Sequence, residues 1–174
     1  MVSLANKHTI IVIASIAIIA GSLGYSSLNV ISAKDLQFSW PNQSFQFTSV
    51  IVGKTVNVCN NSDYPATFRQ YSFTMIYDKQ ILGTFTTGSG GFAPHSGGLV
   101  SGKFESADEQ ISNIFLSFMD TEEGGTDVTR IDINKMKIDT KIDTTIFGVI
   151  PFSVTHDYSG KDFVEMLNKK PSCA

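Results

Sequence analysis

The residues best suited to chemistry in this 174-residue chain are His95, His156, Cys59, Cys173 and Ser96, with Asp scattered along the sequence. A blue-copper centre needs two His, one Cys and usually a Met, with the Cys and the second His close in sequence. Cys59 is followed by Asn60-Asn61-Ser62-Asp63, and Cys173 is the penultimate residue, so neither carries that pattern. The two cysteines also lie too far apart for a C-x-x-C redox or zinc motif. A hydrolase of the nucleophile-elbow type needs G-x-S-x-G, which is absent. Gly88 to Gly91 reads GSGG, but no Lys-Ser/Thr follows at the spacing a phosphate loop requires. The expectation is a non-enzymatic chain with no catalytic, cofactor-binding or metal-ligating residues and no cofactor. His95 and His156 are expected as loop and strand-end residues.

Something must nevertheless position this chain, and its N-terminus is the clearest candidate. Thr9 to Gly24 is apolar and uncharged, and the uncharged run continues to Ala33. Thr9 to Ile31 supplies the roughly 20 residues that cross a bilayer. Lys7 precedes it, while Lys34 and Asp35 cancel after it, which favours an inside N-terminus and an outside C-terminal domain. The expected location is therefore the cell membrane, as a single-pass protein. The alternative is secretion after signal-peptide cleavage, with a small-x-small site at Ser22-Leu23-Gly24. The expected divisions are residues 1–33 as stub and anchor or signal peptide, 34–158 as a β-domain, and 159–174 as a tail with a short helix.

About 140 residues remain beyond the anchor, enough to bury a core. A net charge of −3 with no basic stripe excludes nucleic acid as a partner. Short apolar-alternating runs are expected as strands at Leu36–Trp40, Phe45–Ile51, Val56–Val58 and Tyr71–Tyr77. Asp78-Lys79-Gln80 is expected to reverse the chain into a returning strand, Ile81–Thr86. Thr87–Gly98 reads as a flexible connection and Leu99–Phe104 as a further strand. Ser106 and Glu109 form a capping box for a helix whose apolar face is Ile111, Ile114, Phe115, Phe118 and Met119. Ile131 and Ile133 are out of phase with Met136, Ile138 and Ile142, so a β-bulge is expected near Asn134 or Lys135. Phe147–Val154 reads as a strand buried on both sides. The doubled Lys137-Ile138-Asp139-Thr140 and Lys141-Ile142-Asp143-Thr144 reads as one strand with a charged outer face. Gly160 to Lys170 is expected to hold a terminal helix using Phe163, Val164 and Leu167. Turn-punctuated strands with one inserted helix argue for an all-β sandwich.

Asn60 to Pro65, then Tyr71 to Asp78 and Ile81-Leu82-Gly83, resemble the late embryogenesis abundant type 2 family, in which a Pro-containing link leads to a strand, a Tyr-x-(Asp/Asn) reversal and a short return. Pro94-His95-Ser96 is similar to the family's Pro and small polar residue before the next strand. Asp143 to Phe152 is similar to its closing hydrophobic-Pro-Phe segment. The likeness covers Phe45 to Thr155; Asp63-Tyr64 departs from the family's frequent Asn before Pro. The resemblance implies an immunoglobulin-like or fibronectin-III-like sandwich of about seven strands with one inserted helix. It further implies a non-catalytic, water-stress or desiccation-protective role, in some members at a membrane, and related domains are connected with lipid handling.

Four further features concern placement and partners. Cys59 and Cys173 either pair as a disulfide outside the cell, or Cys59 is a small core residue. Asn42-Gln43-Ser44 and Asn60-Asn61-Ser62 are glycosylation sequons if the domain is exported. The Ile111–Met119 face offers an apolar ligand or docking surface. Trp40 either caps the sandwich or sits at the bilayer interface. The expected partners are the membrane through the N-terminal helix, envelope proteins, and lipid. The functional expectation is protection or scaffolding through contact; the alternatives are an accessory docking subunit of a membrane complex and a lipid or amphiphile binder.

Overall fold

The computed structural model describes residues 6–110, 119–121, 127–129, 132–146, 148–171 and 173. The chain opens with a long helix, α1 (Lys7–Lys34). A short first strand, β1 (Gln37–Ser39), follows. The stretch Phe45–Ile51 is not a strand. It forms a loop after a 3-10 turn at Pro41–Gln43 and then a single helical turn, α2 (Ser49–Val52). Its alternation survives only as inward-facing side chains, with Phe45, Phe47 and Val50 all buried.

The main sheet then builds from β2 (Thr55–Asn60), β4 (Gln70–Tyr77), β5 (Gln80–Thr87), β7 (Ser96–Ser106), β10 (Met136–Ile146) and β11 (Ile150–Ser159), with β1 at one edge. The order is β1-β2-β7-β5-β4-β10-β11, and every pairing is antiparallel. Two small ribbons complete it: β3 (Ala66–Phe68) with β6 (Gly90–Phe92), and β8 (Met119–Thr121) with β9 (Asp127–Thr129). The β4–β5 hairpin turns through Asp78 and Lys79, both at positive φ, the geometry that matches strand twist in two-residue loops. Thr87–Gly98 is not one open connection, because β6 and the start of β7 lie within it.

β7 explains the curl of the sheet. Its first half, Ser96–Ser101, pairs with β2, and its second half, Gly102–Ser106, pairs with β5. At the changeover a Cβ on Gly102 would stand 2.5 Å from the Phe85 ring, so only glycine lets the two approach. The sheet thereby curls until β1 faces β4. Phe38 on β1 stacks on Tyr71 of β4 at 3.8 Å, although three strands separate them along the hydrogen-bonded order. Trp40 meets Phe85 edge-on at 5.8 Å and Phe45 at 5.1 Å. Trp40 is therefore a core residue and not an interfacial one; it is 5% exposed.

The last helix, α3 (Gly160–Asn168), closes the remaining side. Ser159 caps it, accepting from the Asp162 N–H. Phe163 and Leu167 are fully buried, and Phe163 lies 4.9 Å from Phe73 and 5.6 Å from Phe45. The Trp40 N–H donates to the Leu167 carbonyl at 2.7 Å, and Asn168 exchanges two hydrogen bonds with the Phe45 backbone. The helix thus packs one face, Gly160, Phe163 and Leu167, into the core.

β10 shows why no bulge is needed near Asn134. Ile133–Lys135 is a 3-10 turn capped by Asp132, and the turn resets the phase. Met136, Ile138, Thr140, Ile142 and Thr144 then all face inward. Lys137, Asp139, Lys141 and Asp143 face outward and pair among themselves and with Asp157. The register shift lies elsewhere, at Met75/Ile76. β11 also differs from expectation. It is an edge strand bonded only to β10 among the described residues, and most of its side chains are exposed.

Tyr71 supplies a pH prediction. Its hydroxyl is buried and has no hydrogen-bond partner among the described residues. Burial, reinforced by Tyr158, pushes the phenol far above its ordinary value. The folded state therefore holds this proton more tightly than the unfolded chain. The associated stability is complete below pH ~10, the unfolded value, and falls as pH rises beyond it. Tyr71→Phe is expected to leave stability at neutral pH unchanged or raised by about 1 kcal/mol. It should also flatten the alkaline loss. Urea midpoints measured from pH 7 to pH 11 for both proteins check this.

Candidate functional site

The junction between α1 and the β-domain is where the chain's apolar helix meets its folded body. The N-terminal part of α1 is exposed on every side, with Ile10, Ile13, Ile16 and Ile19 each more than half exposed. Its serines place no free hydroxyl outward. Ser15, Ser22 and Ser27 each donate to the carbonyl four residues earlier, at 2.8 Å. That arrangement suits a helix surrounded by hydrocarbon, where unpaired polar groups are costly.

The C-terminal part behaves differently. Ser26, Ser32 and Ala33 are buried and Asn29 is partly so, because this stretch lies on β10 and β3. Asn29 forms the clamp. Its Oδ1 accepts from the Thr67 N–H at 2.8 Å and from the Thr67 hydroxyl at 2.9 Å, and its Nδ2 donates to the Thr144 hydroxyl at 3.4 Å. Thr144 in turn donates to the Thr67 carbonyl at 2.7 Å. Helix, ribbon strand and sheet are thereby tied at one point. Ser22, Ser26, Asn29 and Ala33 recur every three or four residues, which puts small or polar side chains along one stripe. As part of a span these residues only soften its far end; their periodicity is the signal of a docking face. Asn29→Ala is expected to cost about 1–2 kcal/mol, since it strips partners from partly buried groups. Thermal unfolding in detergent micelles checks it.

Above the clamp the helix and domain diverge, leaving a cleft of about 680 Å³. Gly21, Ser22 and Tyr25 form its helical wall; Pro65, Thr145 and Gly148 lie opposite.

The residues singled out in the sequence are dispersed. Cys59 and Cys173 are bonded to each other, with Cα atoms 5.5 Å apart. The bond lies over Gly97, which pairs with Cys59 across the ladder; a Cβ there would stand 2.8 Å from the Cys173 Sγ. Asn42 is exposed in its 3-10 turn and open to a glycan. Asn60 is not, because its side chain is fully buried. Its Nδ2 donates to the Tyr64, Phe92 and Ala93 carbonyls, and its Oδ1 accepts from the Ser62 N–H and hydroxyl. Asn60 therefore organises the Asn60–Pro65 link, which a sugar on Nδ2 would disrupt. Ile111, Ile114, Phe115 and Phe118 lie outside the described residues. Met119 begins β8, so the expected helix does not extend to it. The helical turn at Glu109 is capped by Asp108, whose carboxylate accepts from the Gln110 N–H at 2.8 Å, while Ser106 ends β7.

His95 contacts the Asp63 carboxylate at 2.9 Å in an exposed loop, and Ser96 donates to the Ala93 carbonyl. His156 lies on β11, beyond three intervening strands from β7. The sheet order does not bring these residues into a triad. Among the described residues no group of three or more His, Cys, Asp or Glu is placed to hold a metal ion. No protein-family model matches the chain, and no curated protein matches it.

Proposed function

We propose that this chain is a single-pass membrane protein that displays a non-catalytic β-domain outside the cell and acts through contact surfaces. The observation that carries the reading is the division of α1. Its apolar part, Thr9–Tyr25, stands free of the domain, while its small and polar stripe is docked through Asn29. A helix of this length and composition can cross a bilayer, and the clamp would transmit its orientation to the domain. The Cys59–Cys173 bond supports an oxidising location, hence an outside domain.

The curled sheet, with β1 residues stacked on β4, supports a sandwich of the immunoglobulin or fibronectin-III kind. With the family-like Asn60–Gly83 and Asp143–Phe152 segments, it supports membership of the late embryogenesis abundant type 2 family and a protective or scaffolding role. Two experiments test the reading. The protein should remain in the pellet after alkaline carbonate extraction of membranes, with the domain cleaved by external protease in intact cells; a soluble protein beginning near Tyr25 would refute the anchor. Purified protein should preserve a labile enzyme through freeze–thaw better than an equal mass of albumin; equal performance would refute protection.

A docking subunit is the second reading, favoured by the outer edge of β11, which pairs with no strand among the described residues. Such edges accept strands from partners. Co-purification of a fixed partner in mild detergent, lost on substituting β11 edge residues, would select this reading over protection.

A further inference from the structure

We propose that the tip of the β10–β11 hairpin enters the outer leaflet of the bilayer beside α1, making a second, non-spanning membrane contact. The inference rests on α1 being a membrane anchor. It concerns Val149, Ile150 and Phe152, which are 73%, 51% and 38% exposed respectively. Such side chains at the end of an edge hairpin are unexplained by the fold, since they pack into no core.

Their height on the helix follows from one contact and one facing pair of cleft walls. Thr144 meets Asn29, and Gly148 shares the cleft with Gly21, Ser22 and Tyr25. From Thr144 to the end of β10 at Ile146 the strand advances ~7 Å, and the turn at Gly148 and Val149 lies beyond it. From Asn29 back to Gly21 or Ser22 a helix advances ~11 Å. The hairpin therefore runs alongside α1 toward its N-terminus, and its turn faces Gly21 and Ser22 across the cleft. From Thr9 to that level the helix is only ~18 Å long, against a hydrocarbon core of ~30 Å. If α1 spans, the bilayer must extend past the level of the hairpin tip by ~12 Å, slightly more than the ~10 Å to which interfacial segments are buried.

The chemistry of the tip agrees. Thr144 to Thr155 contains no charged residue, so nothing opposes entry and nothing selects an anionic headgroup. The occupant is therefore the acyl and glycerol region of the bilayer, bound through apolar burial. Tyr25 lines the same cleft as Gly148 and is exposed, as is Tyr64 next to the cleft residue Pro65, and tyrosine is enriched at membrane interfaces.

The test uses the full chain in phosphatidylcholine vesicles containing brominated lipid. Tryptophan is introduced singly at Val149, at Ile16 within the apolar helix, and at Leu99, exposed on β7. Trp40 is buried in every variant and gives a common background. The expected result is that Val149→Trp and Ile16→Trp are blue-shifted and lose most of their added emission to the bromines, while Leu99→Trp is unaffected. The Val149→Trp signal should not change with added salt or phosphatidylglycerol. Quenching at Ile16 without quenching at Val149 would overturn the hairpin contact and leave the anchor intact. Absence of quenching at both would overturn the anchor as well. Efficient disulfide cross-linking between two copies of a Val149→Cys variant in vesicles, with no lipid quenching at Val149, would assign the tip to a second copy of the chain and likewise overturn the proposal.

Discussion

Replacing Cys59 and Cys173 together by serine is expected to destabilise the domain by about 3–5 kcal/mol. The two residues are 114 apart in sequence, so the bond closes a loop that takes in most of the β-domain. A cross-link over so long a loop restricts the unfolded chain strongly. In the folded state Cys59 sits in the buried ladder of β2, and Cys173 follows the docked α3, so the bond joins parts that are already held in place. The measurement is a denaturant midpoint for wild type, for wild type in reductant and for the double variant. The latter two should agree and lie below the first. Two titratable thiols in unreduced wild type would show that the bond does not form.

Phe163→Ala is expected to cost about 3–5 kcal/mol, the range for deleting a fully buried phenyl ring. The Phe163 ring reaches Phe45, Phe73 and Tyr158 together, so its loss opens a cavity where sheet, loop and helix meet. The rigid sheet on one side limits collapse into that cavity. Phe163→Leu should recover a large part of the loss. The check is equilibrium unfolding at unchanged m-value; a cost under ~1 kcal/mol would mean that α3 is a peripheral appendage. Because Phe163 and Cys173 hold the same C-terminal segment, their effects should not add.

Both predictions fall on the segment that the sequence marks least strongly. Residues 159–174 read as a tail with a short helix, because nine amphipathic residues at a chain end carry no sign of what they cover. The apolar positions Phe163 and Leu167 are legible; their target is not, because it is assembled from Phe45 and Phe73, remote in sequence. The Phe45–Val52 stretch shows the converse. Its alternation holds only for Phe45 and Phe47; α2 then buries Val50 and leaves Ile51 and Val52 exposed, and the Pro41–Gln43 turn and α2 hold the buried residues in place without a ladder. Periodicity reports which side of a segment is buried; the hydrogen bonds are decided by whether a neighbouring strand is available. The Phe147–Val154 run misleads for a related reason, as apolar composition does not distinguish burial in protein from the exposure seen at Val149 and Ile150.

The candidate site is legible only in fragments. The apolar helix follows from composition, and the β4–β5 hairpin and inward Tyr71, Phe73 and Met75 follow from alternation and turn chemistry. Asn60 reads as a glycosylation sequon because a sequon is a local pattern, whereas its five hydrogen bonds run to the link itself and to the Phe92–Ala93 backbone. Asn29 looks like a blemish in an apolar run, since its partners Thr67 and Thr144 lie 38 and 115 residues away.

By itself, the sequence determined that the chain is a β-rich domain behind an apolar helix, because strand alternation, turn residues and an uncharged run of bilayer length are encoded locally. Tertiary structure alone decided that the two cysteines meet, that α3 completes the core, where α1 stops being free and becomes docked, and which apolar residues remain uncovered. Each of these depends on contacts between residues far apart in the chain, and the curl of β7 around Gly102 is what brings those residues together.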